Sequence, residues 1–239
     1  LTEAGEVAYA RAEEIFQIGQ RIPQEVMQAA TAPSVRLAVG LSDGISKLAA
    51  HSLLTPVLDN QHVKLLCHEG EFDELLAELA LHHLDVVFAG QGAPNNPNLR
   101  LYSQLLSSSP LVWYAPTALL DAIGEWAFPQ ILGQIPLLLP TEHTPVRPAI
   151  DRWFEELGLY PRIAGEFEDS ALLSLFAAKG LGAFPVSESG QDDIALMNGL
   201  QKLGVCEIRD EVHAVYTRRG KNHPVVQKLL GPSGNADAD

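Results

Sequence analysis

Leu84-Asp85-Val86-Val87-Phe88-Ala89-Gly90 is a short, almost wholly apolar run that stops at a glycine. Apolarity without alternation reads as a strand covered on both faces, as in a parallel sheet. Working outward, Val63-Lys64-Leu65-Leu66-Cys67 and Val35-Arg36-Leu37-Ala38-Val39-Gly40 are two earlier strand-like runs. Between them a helix is expected through Leu54. Phe72-Asp73-Glu74-Leu75-Leu76-Ala77-Glu78-Leu79 has helical spacing with acids on its outer face. The order is β-α-β-α-β, that of a parallel sheet clothed by helices.

The order restarts further on. Ile135-Pro136-Leu137-Leu138-Leu139 reads as a strand, Arg147 to Leu157 as a helix with Trp153 and Phe154 on its apolar side, and Arg162 to Phe167 as a strand. A helix from Ser170 to Lys179 ends at Gly180, and Ala183-Phe184-Pro185-Val186 follows as a short strand. Leu101 to Tyr114 is read as two strand-like pieces meeting at Ser107-Ser108-Ser109-Pro110. Val205-Cys206-Glu207-Ile208 and Val212-His213-Ala214-Val215-Tyr216 form a comparable pair around Arg209-Asp210-Glu211. These pairs are the candidate crossings between the two units. The expected fold is α/β, with two Rossmann-like lobes joined by a hinge of two crossover strands. Lobe I comprises residues 33–106 with 211–231 and lobe II residues 107–210, while 232–239 has nothing to bury and is expected to fray.

Residues 1–32 read as a long helix in front of the lobes. Thr2 is its candidate N-cap, with Glu3 and Glu6 near the positive end of the dipole. Ala8, Ala12, Ile15, Gly19, Ile22 and Val26 recur at steps of three and four, the seam of two helices packed lengthwise, which predicts a dimer. The alternative is an amphipathic helix lying on its own domain. Pro23 either kinks the helix or starts a second one. The chain opens on Leu1 without a methionine and reads as trimmed at that end.

At 239 residues and 46% hydrophobic content the chain can bury one large core or two small ones. No apolar run reaches the ~18 residues of a membrane span, so no membrane partner is expected. A net charge of −14 repels a phosphate backbone, so nucleic acid is not a partner of this segment by itself. Cys67 and Cys206 lie in apolar, strand-like surroundings without a CxxC spacing and are expected to be buried thiols, in keeping with a reducing cytoplasm. No Gly-x-Ser-x-Gly elbow, P-loop or zinc spacing appears, which argues against an enzyme.

Leu1-Thr2-Glu3-Ala4-Gly5 followed by a long helix resembles the junction in LysR-type transcriptional regulators, where a winged helix-turn-helix hands over to a linker helix. Gly165-Glu166-Phe167-Glu168-Asp169-Ser170-Ala171-Leu172, Ala178-Lys179-Gly180-Leu181-Gly182 and Phe184-Pro185 extend the resemblance to that family's effector-binding domain. It implies a periplasmic-binding-protein-like pair of lobes with a ligand between them. It also implies a homodimer or tetramer that reaches promoter DNA through an N-terminal domain lying outside this chain. A narrower resemblance is to the branch of the family that activates sodium/proton antiporter genes. It rests on Gly40-Leu41-Ser42-Asp43-Gly44-Ile45-Ser46-Lys47, the Gly165 to Leu172 run, and His223-Pro224-Val225-Val226-Gln227. That branch implies Na+ or Li+ as effector and no other cofactor.

Open α/β sheets bind ligands beyond the carboxyl ends of their strands. The positions that qualify are Ser42, Asp43, Glu69, Gly70, Glu71 and Gln91 in lobe I, and Thr141, Glu142, His143, Glu168, Asp169, Ser170 and Pro185 in lobe II. Hydroxyls and helix N-termini ordinarily favour anions there. Asp43, Glu69, Glu71, Glu168 and Asp169 instead crowd carboxylates around the same cleft, which suits a hard cation with oxygen ligands, such as weakly held Na+. The plain readings stand beside this one: Asp43 and Asp169 as N-caps, Glu69 and Glu71 as solvated acids, His143 as a loop residue rather than a pH sensor. A periplasmic solute-binding protein would share the element order but has no use for the opening helix.

Overall fold

A computed structural model describes residues 2–31, 35–58, 62–95, 100–190, 194 and 197–231. The segment 232–239 and the junction at 32–34 lie outside the described residues. Three strands and three helices open the chain: α1 (Glu3–Thr31), β1 (Val35–Ser42), α2 (Lys47–Leu58), β2 (Val63–Gly70), α3 (Phe72–Ala80) and β3 (Val86–Ala89). There follow β4 (Leu101–Pro116), α4 (Thr117–Ile123), β5 (Leu137–Pro140), α5 (Arg147–Leu157), β6 (Ile163–Phe167), α6 (Ser170–Ala178) and β7 (Phe184–Ser187). The chain ends with β8 (Leu200–Thr217), α7 (Arg218–Lys221) and α8 (Pro224–Leu230).

The main sheet has the order β2-β1-β3-β8-β4-β7. β1 runs parallel to β2 and β3, while β8 is antiparallel to β3 and to β4, and β4 to β7. β5 and β6 form a separate parallel pair, joined to the rest by one bridge, Leu137 to Ala183. The fold is therefore the expected α/β class with a mixed sheet.

The apolar runs are explained by helices on both faces. Leu37, Val39 and Phe88 point toward α2 and α8, against Leu54, Val57 and Val226, and the intervening Ala38 and Val87 face Leu75 and Leu79 of α3. Lobe II repeats the scheme: Leu111, Trp113, Leu137 and Leu139 pack on Ile150 and Phe154, while Val112, Tyr114 and Leu138 meet Leu173 and Phe184. Each such buried Leu or Phe contributes ~1.5–3 kcal/mol over leaving it exposed. Alternate residues thus serve two cores, one on each side.

The crossings differ from expectation. β4 and β8 are unbroken strands that pair from Leu101↔Thr217 to Pro116↔Leu200, with register shifts between Leu105 and Ser107 and between Pro110 and Leu111. The Ser107 to Pro110 segment is absorbed as irregularities in one long antiparallel ladder rather than ending it, because a bulge costs only local pairing. Two continuous strands flanked by bulges make the hinge.

The opening helix is also continuous. Pro23 lies inside α1, so it does not start a second helix. Thr2 caps it, its Oγ1 accepting from the Gly5 N–H at 3.2 Å. Ala8, Ala12, Ile15, Gly19 and Ile22 are exposed, with Ile15 68% accessible. The polar Gln17, Gln20 and Arg21 instead line a cavity of about 650 Å3 against lobe I. The seam therefore does not lie on its own domain; the Val26 side chain is outside the described set. Cys206 is buried as expected, but Cys67 is exposed, because β2 is the edge strand and its outer residues have no neighbour.

Candidate functional site

The lobes meet where β1 and β3 end. Asp43, Gly44, Ile45 and Gly90 from lobe I face Thr144, Pro145 and Val146 from lobe II, and Arg209, Asp210 and Glu211 of β8 close the side. They enclose about 160 Å3. The fit is close enough to demand glycine: at Gly44, φ is +82° and a Cβ would stand 2.7 Å from Thr144 Cγ2. At Gly90 a Cβ would stand 3.1 Å from Pro145 Cγ. Any side chain at Gly44 would be strained by its positive φ and would force Thr144 of the opposite lobe to shift.

Lobe II's wall is held by Arg147, which is buried. Its guanidinium donates to both Asp151 oxygens at 2.9 and 3.0 Å, to the Pro140 carbonyl at 2.6 Å and to Glu166 at 2.5 Å. The end of β5, the start of α5 and β6 are thereby tied to one planar group. The loop between them carries Thr141, whose buried Oγ1 has no hydrogen-bond partner among the described residues.

The cleft's electrostatics centre on the hinge. Burial, reinforced by the neighbouring charge of Glu211, pushes the Asp210 carboxyl up to about 6 against the pull of a Ser187 hydroxyl bond. Glu211 in turn lies 3.0 Å from His213 Nε2. Across the cleft mouth, Lys47 Nζ sits 2.7 Å from Glu69 and 3.6 Å from Asp169, one lobe's ammonium bridging a carboxylate from each lobe. Asp169 caps α6, accepting from the Ala171 and Leu172 N–H groups at 2.7 and 2.8 Å. Those bonds, Leu172's first, hold its carboxyl below the usual range, with Lys47 adding to the effect.

The expected site residues are divided by this geometry. Asp43 lines the enclosed cavity, and Ser42 is buried behind it at the end of β1. Gly70 accepts from the Asp43 N–H at 3.3 Å, and both Glu69 and Gly70 border the cavity beneath α1. Glu71 precedes α3 without a side-chain cap bond, and Gln91, Glu142, His143 and Glu168 are exposed. The Ser170 carbonyl accepts from Ser174, and Pro185 is buried opposite Trp113. The five carboxylates Asp43, Glu69, Glu71, Glu168 and Asp169 are not drawn into one cluster: no three His, Cys, Asp or Glu among the described residues come together as metal ligands. The sequence alone assigns no place in the cleft to Asp210, Glu211, Lys47, Gly44 or Gly90. The available signal was three successive charges, Arg209-Asp210-Glu211, inside a strand, where alternation forces at least one of them inward.

Two lobes, a glycine-tight cleft and a two-strand hinge are features of a ligand-sensing module, and the sequence model of the LysR substrate binding domain matches residues 34–231. The chain belongs to the LysR family. It contains the effector-binding domain of a LysR-type transcriptional regulator, and its relatives are regulators rather than enzymes. It is 25% identical over 237 residues to the transcriptional activator protein NhaR of Escherichia coli, covering 98% of this chain and 77% of that protein. It is also 25% identical over 193 residues to the nitrogen assimilation regulatory protein nac of Escherichia coli, covering 79% of this chain and 60% of that one. Among solved structures, the LysR family regulator CbnR superposes with a TM-score of 0.67 at 16% identity, over 96% of this chain and 79% of that one. The effector binding domain of QuiR in complex with shikimate gives 0.63 at 13% identity, over 84% and 97%. At such identities these last two speak for the LysR fold alone. Among the described residues no helix is long and apolar enough to cross a membrane.

Proposed function

We propose that this chain is the sensing segment of a transcription activator that responds to Na+ or Li+ and controls a sodium/proton antiporter. In this reading lobe closure on the ion is the switch. The observation that carries the reading is Asp210: an enclosed carboxylate of the cleft whose proton affinity is raised by burial and by the charge of Glu211 beside it. Asp43 and Glu211 line the same cavity without forming a ligand set with Asp210, and closure of the lobes draws their carboxylates together on a bare cation. The cavity of about 160 Å3 suits a small ion with a few waters better than a metabolite. The similarity to NhaR over 98% of the chain supports the same choice.

The exposed seam of α1 pairs with a second copy, and a winged helix-turn-helix preceding Leu1 in the full protein contacts promoter DNA in the cytoplasm, as a dimer or tetramer. The activator reading is tested by thermal unfolding at pH 8 and constant ionic strength. Na+ and Li+ raise Tm more than K+, and Asp210→Asn abolishes the difference. Equal shifts with all three ions leave only screening and refute direct sensing. A second reading, an organic effector, is favoured by the orphaned Thr141 hydroxyl, which an oxygen-bearing ligand would satisfy. It requires the lobes to open wider.

A further inference from the structure

At the end of lobe I opposite the cleft lies a pocket of about 620 Å3 whose lining includes Arg100, Arg218, Arg219, His82, Asn222 and Thr217 and contains no carboxylate. Thr217 pairs with Leu101 at one end of the β4–β8 ladder, seven pairs along from Ser109↔Asp210 at the cleft. This concentration of cations is unexpected in a chain with 30 acidic and 16 basic residues. Among the described residues no acid pairs with Arg100, Arg218 or Arg219. The nearby Asp85 is engaged elsewhere, its carboxylate accepting from the Ala38 N–H at 2.8 Å.

His82 adds an independent mark. It is the one non-glycine residue with positive φ among the described residues, at 61°. It occupies the left-handed position that terminates α3: the His83 N–H reaches the Glu78 carbonyl at 2.9 Å and the His82 N–H the Leu79 carbonyl at 3.1 Å. Glycine ordinarily fills that position because it carries no Cβ penalty. The chain instead keeps an imidazole there, on the rim of the arginine pocket.

We propose that this distal pocket is a binding site for a small, multiply charged phosphate-bearing metabolite, distinct from the cleft between the lobes. Three guanidinium groups offer forked donors matched to phosphoryl oxygens, Asn222 and Thr217 supply neutral polar groups, and the volume is of metabolite size. Burial, followed by Arg219, pulls the His82 imidazole below its ordinary range, with His83 acting in the same sense and Asp85 opposing. A bound anion offsets the charge of Arg219 and so favours the protonated imidazole.

Titration calorimetry of this chain with inorganic pyrophosphate at constant ionic strength tests the site. Saturable binding is expected, weakened on the order of tenfold or more by the double variant Arg218→Glu, Arg219→Glu, whose side chains are exposed and do not hold the fold together. His82→Gly is expected to weaken binding and reduce the dependence of the heat on buffer ionisation to the part that pyrophosphate's own titration contributes, while leaving Tm equal or higher; a purely helix-ending His82 would leave binding unchanged. No saturable heat, or undiminished binding by the double variant, overturns the proposal. Citrate binding as tightly as pyrophosphate overturns the phosphate assignment, and preferential binding of a short DNA duplex overturns the small-ligand one.

Discussion

At the carboxyl ends of β1 and β3 lobe I meets lobe II over Asp43, Asp210 and Glu211, whereas its other end gathers Arg100, Arg218 and Arg219 around an open pocket. The acids at the first end are enclosed, and enclosure raises the cost of charging Asp210. The arginines at the second are exposed, so their charge costs little to keep and is available to a ligand. One sheet thus presents an enclosed acidic end, where a charge is costly to keep, and an exposed basic end, where it is not.

The contrast can be broken most forcefully at Gly44. Gly44→Val puts a β-branched residue at φ +82° and a Cβ 2.7 Å from Thr144 Cγ2. It should cost ~3 kcal/mol in urea unfolding and open the cleft, seen as a larger radius of gyration in solution scattering. An unchanged radius would mean the lobes close without that contact.

Next in size is Asp210→Asn. The raised carboxyl keeps its proton longer in the folded chain than in the unfolded one, so its contribution is intact below pH 4 and is lost as pH climbs through about 6. The span from 3.8 to about 6 corresponds to up to ~3 kcal/mol. The variant should therefore be more stable than the parent by ~2 kcal/mol at pH 8, allowing for the altered Ser187 bond, and equal to it at pH 4. A deficit at pH 8 would show the carboxylate already compensated.

Asp169→Ala removes an N-cap and should cost ~1 kcal/mol at pH 7. Because the Asp169 carboxyl is lowered, that stabilisation is present above its unfolded value and fades as pH falls through the folded one, so the two proteins should converge in strong acid. Lys47→Ala should be the mildest. Its partners are 55% and 42% exposed, so the loss is ~0.5 kcal/mol or less and disappears in high salt. Its clearer effect is looser coupling of the lobes, read as faster amide exchange around Gly44 and Thr144.

Local pattern carried the reading of the sequence a long way. Arg147–Leu157 and Ser170–Ala178 form helices within a residue of expectation, because an apolar face every three to four residues and the Gly158 and Gly180 stops act over single turns. The Ser107 to Pro110 and Arg209 to Glu211 segments misled it. Serines, a proline and three charges look like breaks, yet each strand supplies the other's hydrogen bonds across about a hundred positions of sequence. Asp43's place in the cavity lining was legible because it follows a strand; Asp210's was not, because its surroundings come from β7, β4 and the opposite lobe.

The order of residues by itself determined the α/β alternation, the helix caps at Thr2 and Asp169, the net charge and the family to which the chain belongs, since each depends on neighbours a few positions apart or on the whole composition. Only the tertiary structure decided that Cys67 is exposed on an edge, that Lys47 spans two lobes, and that Asp210 is enclosed while three arginines stay open at the far end. Burial and the distances between charges are properties of surfaces brought together, and no local stretch of the chain encodes both surfaces at once.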